Sequence, residues 1–401
     1  VPISNRNILV SGGGVAGSAL ATWLARRGFA PTVVDLAPEP GAEVGPAEVS
    51  RQGMALLDRM GLGERVRALG SPVDEVRTHV SGRREPAFLP GEPGNLTVRH
   101  GDLIRVLRED DGGVEYLLGD GVTALEQDDE GVDVTFAHAP ARRFDLVVGA
   151  DGRNSPVRTL AFPGPDDKRL RYLGANTAIF ETANLLDADN TTAWHVWPHR
   201  GCLVTTLPGG DRASVVLVVR DRFPIDADSM DQDARRRWVE EAFGEDGWEM
   251  PRLLRAARDA DVRVLPSTQV RMDVWEQGRV VLVGDAASCP DHLSGQGPTM
   301  ALMGALALAG ELVFTRGEHG RAFFSYEAAL RQSVREAQTV APYVVDSVAP
   351  EAGRYETWIR ERAELALARG TLLMGRLGIR PPMDSVGGEF ALERYAGILT
   401  A

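Results

Sequence analysis

Four short apolar runs stand out along the chain, at residues 8–11, 32–35, 144–148 and 280–283. Each is rich in β-branched residues and each breaks into Gly or Asp at its end, as central parallel strands buried on both faces do. Between the first two, residues 15–28 take up helical spacing, with Ala19, Leu20, Trp23 and Leu24 on one apolar face. Strand, helix and strand in that order predict a βαβ unit. Ligands of open α/β sheets sit at the carboxyl ends of the strands, which is where all four runs carry their turn residues.

The parallel pattern is interrupted twice. Residues 122–127 and 132–137 flank Asp128-Asp129-Glu130-Gly131 and predict a small antiparallel hairpin. A longer β-rich interruption covers roughly residues 170–268, with strands at 172–180, 193–197, 202–207 and 213–219 and a strong turn at Pro208-Gly209-Gly210-Asp211. Helices are expected near 232–243 and 252–257, and the Pro- and Gly-rich stretch 71–93 is assigned to the same unit. After Pro298 the chain reads as helical, with Leu302, Leu306, Leu308 and Leu312 mostly on one side, and further helical patterns follow over 321–340 and 355–377. The expected fold is α/β. A discontinuous Rossmann-like cofactor domain (1–70, 94–165, 269–320) carries a β-rich inserted substrate domain (71–93, 166–268) and a C-terminal helical segment (321–401).

Composition narrows the picture. With 401 residues there is room for two cores, and 43% hydrophobic with 25% charged residues is ordinary for a globular protein. The net charge of −13 excludes nucleic acid as a partner, because phosphate binding needs a basic surface. No run of about 18 apolar residues is seen, and the N-terminus lacks a signal layout. The expectation is a cytoplasmic protein with no membrane partner, monomer or homodimer. Cys202 and Cys289 read as reduced thiols. Lys168 is the only lysine, so any lysine chemistry would have to use it. Neither a metal-ligand cluster nor a nucleophile–base pair is evident.

Chemistry concentrates at the strand ends. Gly12-x-Gly14-x-x-Gly17, with Val15 and Ala16 between, follows a strand and opens a helix. The first Gly permits the tight turn, the second lets backbone approach a pyrophosphate, and the third lets helix pack on strand. The helix N-terminus offers free N–H groups to phosphate. Asp35, ending the second strand, is placed to accept from a ribose diol. A third strand runs into Gly149-Ala150-Asp151-Gly152-Arg153-Asn154-Ser155-Pro156-Val157-Arg158. Far downstream, Gly284-Asp285 again puts a carboxylate at a strand end, and Gly295-Gln296-Gly297 leads into Pro298 at a first helical position. The first turn alone would suit any dinucleotide. Together with Gly284–Gly297 it suggests one long cofactor gripped at both ends, a flavin dinucleotide.

With these motifs in this order, the chain resembles the single-component FAD-dependent monooxygenases of the para-hydroxybenzoate hydroxylase type, the group A flavoprotein hydroxylases. The resemblance covers roughly residues 3–162 and 270–312. It implies that Asp35 holds the adenosine ribose, that Arg51 contacts the flavin and that Arg99 lies near the pyrophosphate. Asp151 and Gly152 would serve both FAD and NAD(P)H. Asp285 would bind ribityl or pyrophosphate-adjacent groups, and Pro290 with Gly295–Gly297 would line the isoalloxazine. Ser288, Asp35, Thr299 and Gly304 stand where relatives often have His, Glu, Asn and Asp, which points to a natural-product-tailoring branch such as antibiotic biosynthesis.

The implied reaction is NAD(P)H- and O2-dependent hydroxylation, epoxidation or oxidative rearrangement of a polycyclic aromatic or polyketide-like molecule through a flavin C4a-hydroperoxide, with the flavin rather than a protein residue carrying the chemistry. Cyclisation, dehydrogenation or halogenation on the same scaffold is the alternative, as is a non-catalytic flavin-binding protein. Trp194-His195-Val196-Trp197 is the densest aromatic stretch. On a strand, His195 and Trp197 face one side and Trp194 and Val196 the other, so Trp194, His195 and Trp197 are substrate candidates, with packing inside the second domain the competing reading.

Overall fold

In the computed structural model, residues 3–41, 45–80, 86–109, 111–351, 392–395 and 397 are described. The expected helix over 355–377 lies outside them. Strand β1 (Asn7–Ser11) runs through a glycine turn into α1 (Val15–Arg26) and back through β2 (Ala30–Asp35), parallel to β1 with Val10 opposite Val33. β3 (Pro46–Val49), α2 (Arg51–Arg59) and α3 (Gly63–Leu69) follow. The chain then leaves for β4 (Glu75–Val80) and β5 (Ala87–Pro90) and returns in β6 (Leu96–Arg99), which pairs antiparallel with β3. Helix α4 (His100–Arg108) leads to β7 (Glu115–Leu118), parallel to β2.

The predicted hairpin is β8 (Val122–Gln127) and β9 (Val132–Phe136), joined by a third strand, β10 (Arg142–Phe144). Phe144 therefore belongs to this small sheet. The parallel strand expected from 144 begins two residues later as β11 (Leu146–Gly149), beside β1. Short helix α5 (Pro156–Ala161) precedes the long β12 (Leu170–Ala183), then β13 (Thr191–Trp197), β14 (Arg200–Thr206) and β15 (Arg212–Arg220). After α6 (Gln232–Phe243) and α7 (Met250–Ala257), β16 (Arg263–Val270) returns to pair with β12. A two-residue edge strand β17 (Glu276–Gln277) and β18 (Val280–Leu282) complete the parallel sheet. Then come α8 (Asp285–Ser288), α9 (Gly297–Phe314) and α10 (His319–Val348).

Two large sheets result. The first has the order β17-β18-β11-β1-β2-β7, so strands distant in sequence are neighbours at its centre. The second has the order β16-β12-β15-β14-β13-β4-β5, and β4 and β5 join it through parallel pairing of β4 with β13. Helices α6 and α7 close the back face of this second sheet. There Val239, Phe243, Met250 and Leu253 pack on Phe180, Trp197, Val215 and Leu217.

Helix α1 departs from its expected one-sided pattern: Val15 through Leu24 are all buried. The first sheet, α4 and α9 enclose it, so no face meets water. Helix α9 is apolar enough by length and composition to cross a membrane, more than the sequence pattern suggested, yet most of it is buried inside the protein. It is a core helix held by α1 and α10.

Arg158 bolts the assembly together. Its side chain has no exposed surface and takes both Asp166 carboxylate oxygens at 2.7 Å. It also donates to the Ala286 carbonyl at 3.0 Å and the Arg153 carbonyl at 2.6 Å, joining α5 to α8. Removing the buried Arg158 side chain leaves a cavity and strips the Ala286 and Arg153 carbonyls of their donor, while the partly exposed Asp166 keeps Arg169 at 3.4 Å, at a cost of about 2–4 kcal/mol. Arg158→Ala is expected to lower unfolding free energy by that order in denaturant titration, and a change within about 1 kcal/mol would contradict the bolt.

Candidate cofactor and substrate site

Three strand ends converge at one cleft, and their glycines explain how. Gly12 has φ +103°, and a Cβ there would lie 2.3 Å from the Ala150 carbonyl and 2.7 Å from the Asp151 Cα. Only Gly lets the first turn rest on the Asp151 turn. A Cβ on Gly17 would lie 1.9 Å from the Gly12 carbonyl, so this residue brings α1 onto the strand. Gly14 differs: its Cβ would meet nothing within 4 Å. The empty direction is where a ligand would approach. Val15 and Ala16 open α1 there, with no side-chain cap and no acidic residue in the first turn to occupy the helix N-terminus.

The Gly284 turn closes on the same cleft. Gly284 has φ +64°, and its Cβ would be 2.9 Å from that of Ala16. Distant parts of the chain thus touch where the flavin reading requires it. Asp285 follows as a half-buried carboxylate. Burial pushes it above the usual range, against the Cys289 thiol hydrogen bond and the nearby His100 and Arg153 charges. Asp151 is likewise raised by burial. One of its oxygens accepts from the Val157 N–H at 3.0 Å and the Ser11 hydroxyl at 3.3 Å, while Oδ1 is buried without a partner. Gly152 follows it in the turn, and Arg153 reaches over to the Pro266 carbonyl at 2.7 Å, tying this turn to β16.

Asp35 accepts from the Gly13 N–H at 2.6 Å and the Ala37 N–H at 2.9 Å. Arg51 begins α2 as an exposed side chain beside Gly94. Arg99 pairs with Glu181 of β12 at 3.0 Å, so it stands at the junction of the two sheets. The Pro290 carbonyl accepts from the buried Gln269 amide at 3.2 Å. Gly295 (φ +67°) abuts the carboxylate of Glu48, whose oxygen would lie 3.0 Å from a Cβ there. Gln296 caps α9, and Gly297, like Gly14, opens onto empty space. The open glycines, uncapped α1 and orphaned Asp151 oxygen suit an extended dinucleotide laid across the three turns. Gly12–Gly17, Asp35 and Asp151 would hold its phosphate and ribose parts, and Gly295–Gly297 its ring.

The departures Thr299 and Gly304 have packing reasons. Thr299 is buried and its hydroxyl bonds that of Ser50, the α2 cap, at 2.9 Å. A Cβ on Gly304 would be 3.1 Å from Val283, so the glycine lets α9 close on β18. Two residues at the cleft carried no sequence signal. Glu48 lies on a four-residue strand and Arg108 ends an ordinary amphipathic helix. Only the tertiary contacts bring them to the glycine turns.

The aromatic stretch splits between two faces. His195 and Trp197 lie on the back, with ring centroids 4.0 Å apart. His195 also stacks with His79 at 6.0 Å and Trp248 at 4.9 Å. Burial and the His79 charge push the His195 imidazole down to about 4. Trp194 lies on the front, where it, Leu203, Val216 and Leu293 gather around Ala175, Val218 and Val345. Among the described residues no group of side chains could hold a metal ion.

A family model described as an FAD binding domain matches residues 5–341. An uncharacterized protein of Mycobacterium tuberculosis is 34% identical over 357 residues, covering 86% of this chain and 95% of that protein. A flavin-dependent monooxygenase of Legionella longbeachae is 30% identical, covering 86% and 90%. Among solved structures, the tetracycline destructase Tet(55) superposes with a TM-score of 0.80 at 27% identity, covering 98% of this chain and 99% of that one.

Two outcomes test the site. A Cβ on Gly14 would meet no protein atom within 4 Å, so the melting temperature of Gly14→Val without cofactor should match the wild type while the purified protein loses its yellow flavin absorbance. Retained flavin would place the cofactor elsewhere. Because the folded-state His195 pKa is depressed, the unfolded chain binds more protons between about pH 6.5 and 4. Stability is therefore full above that window and is lost as pH falls through it. At about pH 5 this group accounts for about 2 kcal/mol, and His195→Phe should remove that share from the pH dependence of chemical denaturation.

Proposed function

The chain belongs to the FAD binding domain family and is an FAD-dependent monooxygenase related to the para-hydroxybenzoate hydroxylase type, and on that premise we propose that it uses NAD(P)H and O2 to oxidise a polycyclic aromatic or polyketide-like molecule lying on the front of the second sheet. The division into a discontinuous cofactor domain and an inserted substrate domain is part of this reading.

One observation carries it. Cross-strand register aligns three rows on the front face. Thr177, Val218, Gly201 and Val196 form the first, beside the end of α10. Ile179, Val216, Leu203 and Trp194 form the second, and all four are only half-buried while the alternating back-face residues are buried. Glu181, Ser214, Thr205 and Thr192 form the third, polar row. A flat apolar strip with one polar margin suits a planar fused-ring molecule with oxygen substituents along one edge. The strip adjoins the flavin-side loops at both ends, since Leu293 packs into its cluster and Glu181 meets Arg99.

FAD held by the Gly12–Gly17, Asp35, Asp151 and Gly295–Gly297 turns would supply the oxygen-activating chemistry. The chain binds the cofactor at its turns, orients the substrate on the strip and excludes water with the α10 end and the 290–297 loop. A relative named tetracycline destructase supports a fused-ring substrate and favours breakdown as much as biosynthetic tailoring, because both begin with oxygen entering an electron-rich ring.

With tetracycline as probe, NAD(P)H oxidation should rise on addition and one oxygen atom from labelled O2 should enter the product. Trp194→Ala should raise KM about tenfold, roughly 1.4 kcal/mol of lost packing, with flavin content unchanged. Product lacking the labelled atom would favour the non-oxygenating alternative. An unchanged KM would remove the strip from the substrate site.

A further inference from the structure

Helix α4 carries a guanidinium at each end. Nine residues at about 1.5 Å rise place them about 13 Å apart along the axis. Arg99, just before the helix, reaches the substrate sheet through Glu181. Arg108, its last residue, lies under the glycine turn. Only 8% of the Arg108 side chain is exposed. Its Nη2 donates to the Gly13 carbonyl at 2.8 Å, and its Nε donates to the Ser18 hydroxyl at 3.1 Å. Ser18 donates to the same Gly13 carbonyl at 2.8 Å. The guanidinium stacks on the Tyr116 ring, 4.5 Å from its centroid. Its carboxylate neighbour is Asp35 at 3.8 Å, beyond hydrogen-bond reach and already accepting from two backbone N–H groups. Nη1 is buried with no partner.

A guanidinium taken this far out of water normally faces a carboxylate in fork geometry. Arg108 has no fork partner and meets Asp35 only at 3.8 Å, so a partly offset positive charge remains at the turn. It adds to the uncapped N-terminus of α1, which opens two residues further on. The Gly13 peptide is pinned on both sides, its N–H by Asp35 and its carbonyl by Arg108 and Ser18. The geometry points to Arg108 as a further positioning residue for FAD. From behind the turn, without touching the cofactor, it fixes the Gly13 peptide and supplies a buried positive charge for the pyrophosphate. The ribose diol is left to Asp35.

This inference rests on the glycine turn being the FAD site, and the test separates the two. Apo-protein is titrated with FAD at low and high salt, followed by flavin fluorescence, for wild type, Arg108→Gln, Arg108→Lys and Gly14→Val. Arg108→Gln should weaken FAD binding about tenfold or more at both salt concentrations, because the buried cation is gone and salt screens a buried charge little. Arg108→Lys keeps the charge but gives up the ring stacking and the second donor, so it should lose less than Arg108→Gln and less than about tenfold. Equal losses in both variants would mean that turn geometry alone matters and would overturn the charge role. So would Arg108→Gln binding within about twofold of wild type. Should Arg108→Gln fail to fold, a loss of more than about tenfold in Arg108→Lys overturns the proposal by itself. If Gly14→Val binds FAD normally, the glycine turn is not the cofactor site and the wider reading falls as well. If Gly14→Val abolishes binding while Arg108→Gln spares it, only the role of Arg108 falls.

Discussion

Close approach of backbone to backbone at three strand ends is the constraint on which the rest of the structure depends. Gly12 rests on the Ala150–Asp151 peptide, Gly17 on Gly12, and Gly284 on Ala16. A side chain at Gly12 or Gly17 would collide with main chain that has nowhere to move, and one at Gly284 would crowd the Ala16 Cβ. The parallel order β18-β11-β1-β2 makes such contacts available, because it sets residues more than a hundred positions apart on adjacent strands. The same contacts leave two glycines, Gly14 and Gly297, facing open space. The cleft is therefore tight where the turns meet and open at Gly14 and Gly297.

Around this frame an acidic protein places its buried charges selectively. Arg158 is fully paired and works as a fastener between α5 and α8. Arg108 is buried with an incomplete set of partners at the glycine turn. Asp151 and Asp285 are carboxylates raised by burial at the two other turns. Buried charge without full compensation is expensive in a structure with nothing else to offer it. At a dinucleotide cleft these groups have hydroxyl and phosphate partners to meet, which is the physical reason for reading them together as a site.

The second sheet contributes a surface rather than a set of reactive groups. Its back is sealed by α6 and α7, and its front keeps a half-buried apolar row beside a polar one. Flavin chemistry needs little from side chains beyond placement and exclusion of water. Junctions between the sheets fall to polar contacts: Arg99 with Glu181, Arg153 with the Pro266 carbonyl, and Thr177 with His292.

The parallel strands, α1, the glycine turns and the β-rich insertion were legible in the sequence because they depend on local rules. These rules are apolar runs ended by Gly or Asp, helical spacing, and turn residues at fixed offsets. That the Gly12–Gly17 and Gly284–Gly297 turns belong together was legible for the same reason, since each turn advertises its own chemistry, and Gly284 does lie against Ala16. Sequence alone could not choose which face of β13 packs inside the second domain. Alternation puts Trp194 and His195 on opposite sides without saying which side α6 and α7 will cover, and the structure gives His195 and Trp197 to the back. Nor could it find Glu48 or Arg108, whose neighbours in the chain follow ordinary strand and helix patterns. Their placement was decided by tertiary packing, because charge burial and counter-charge distance are set by residues tens to hundreds of positions away.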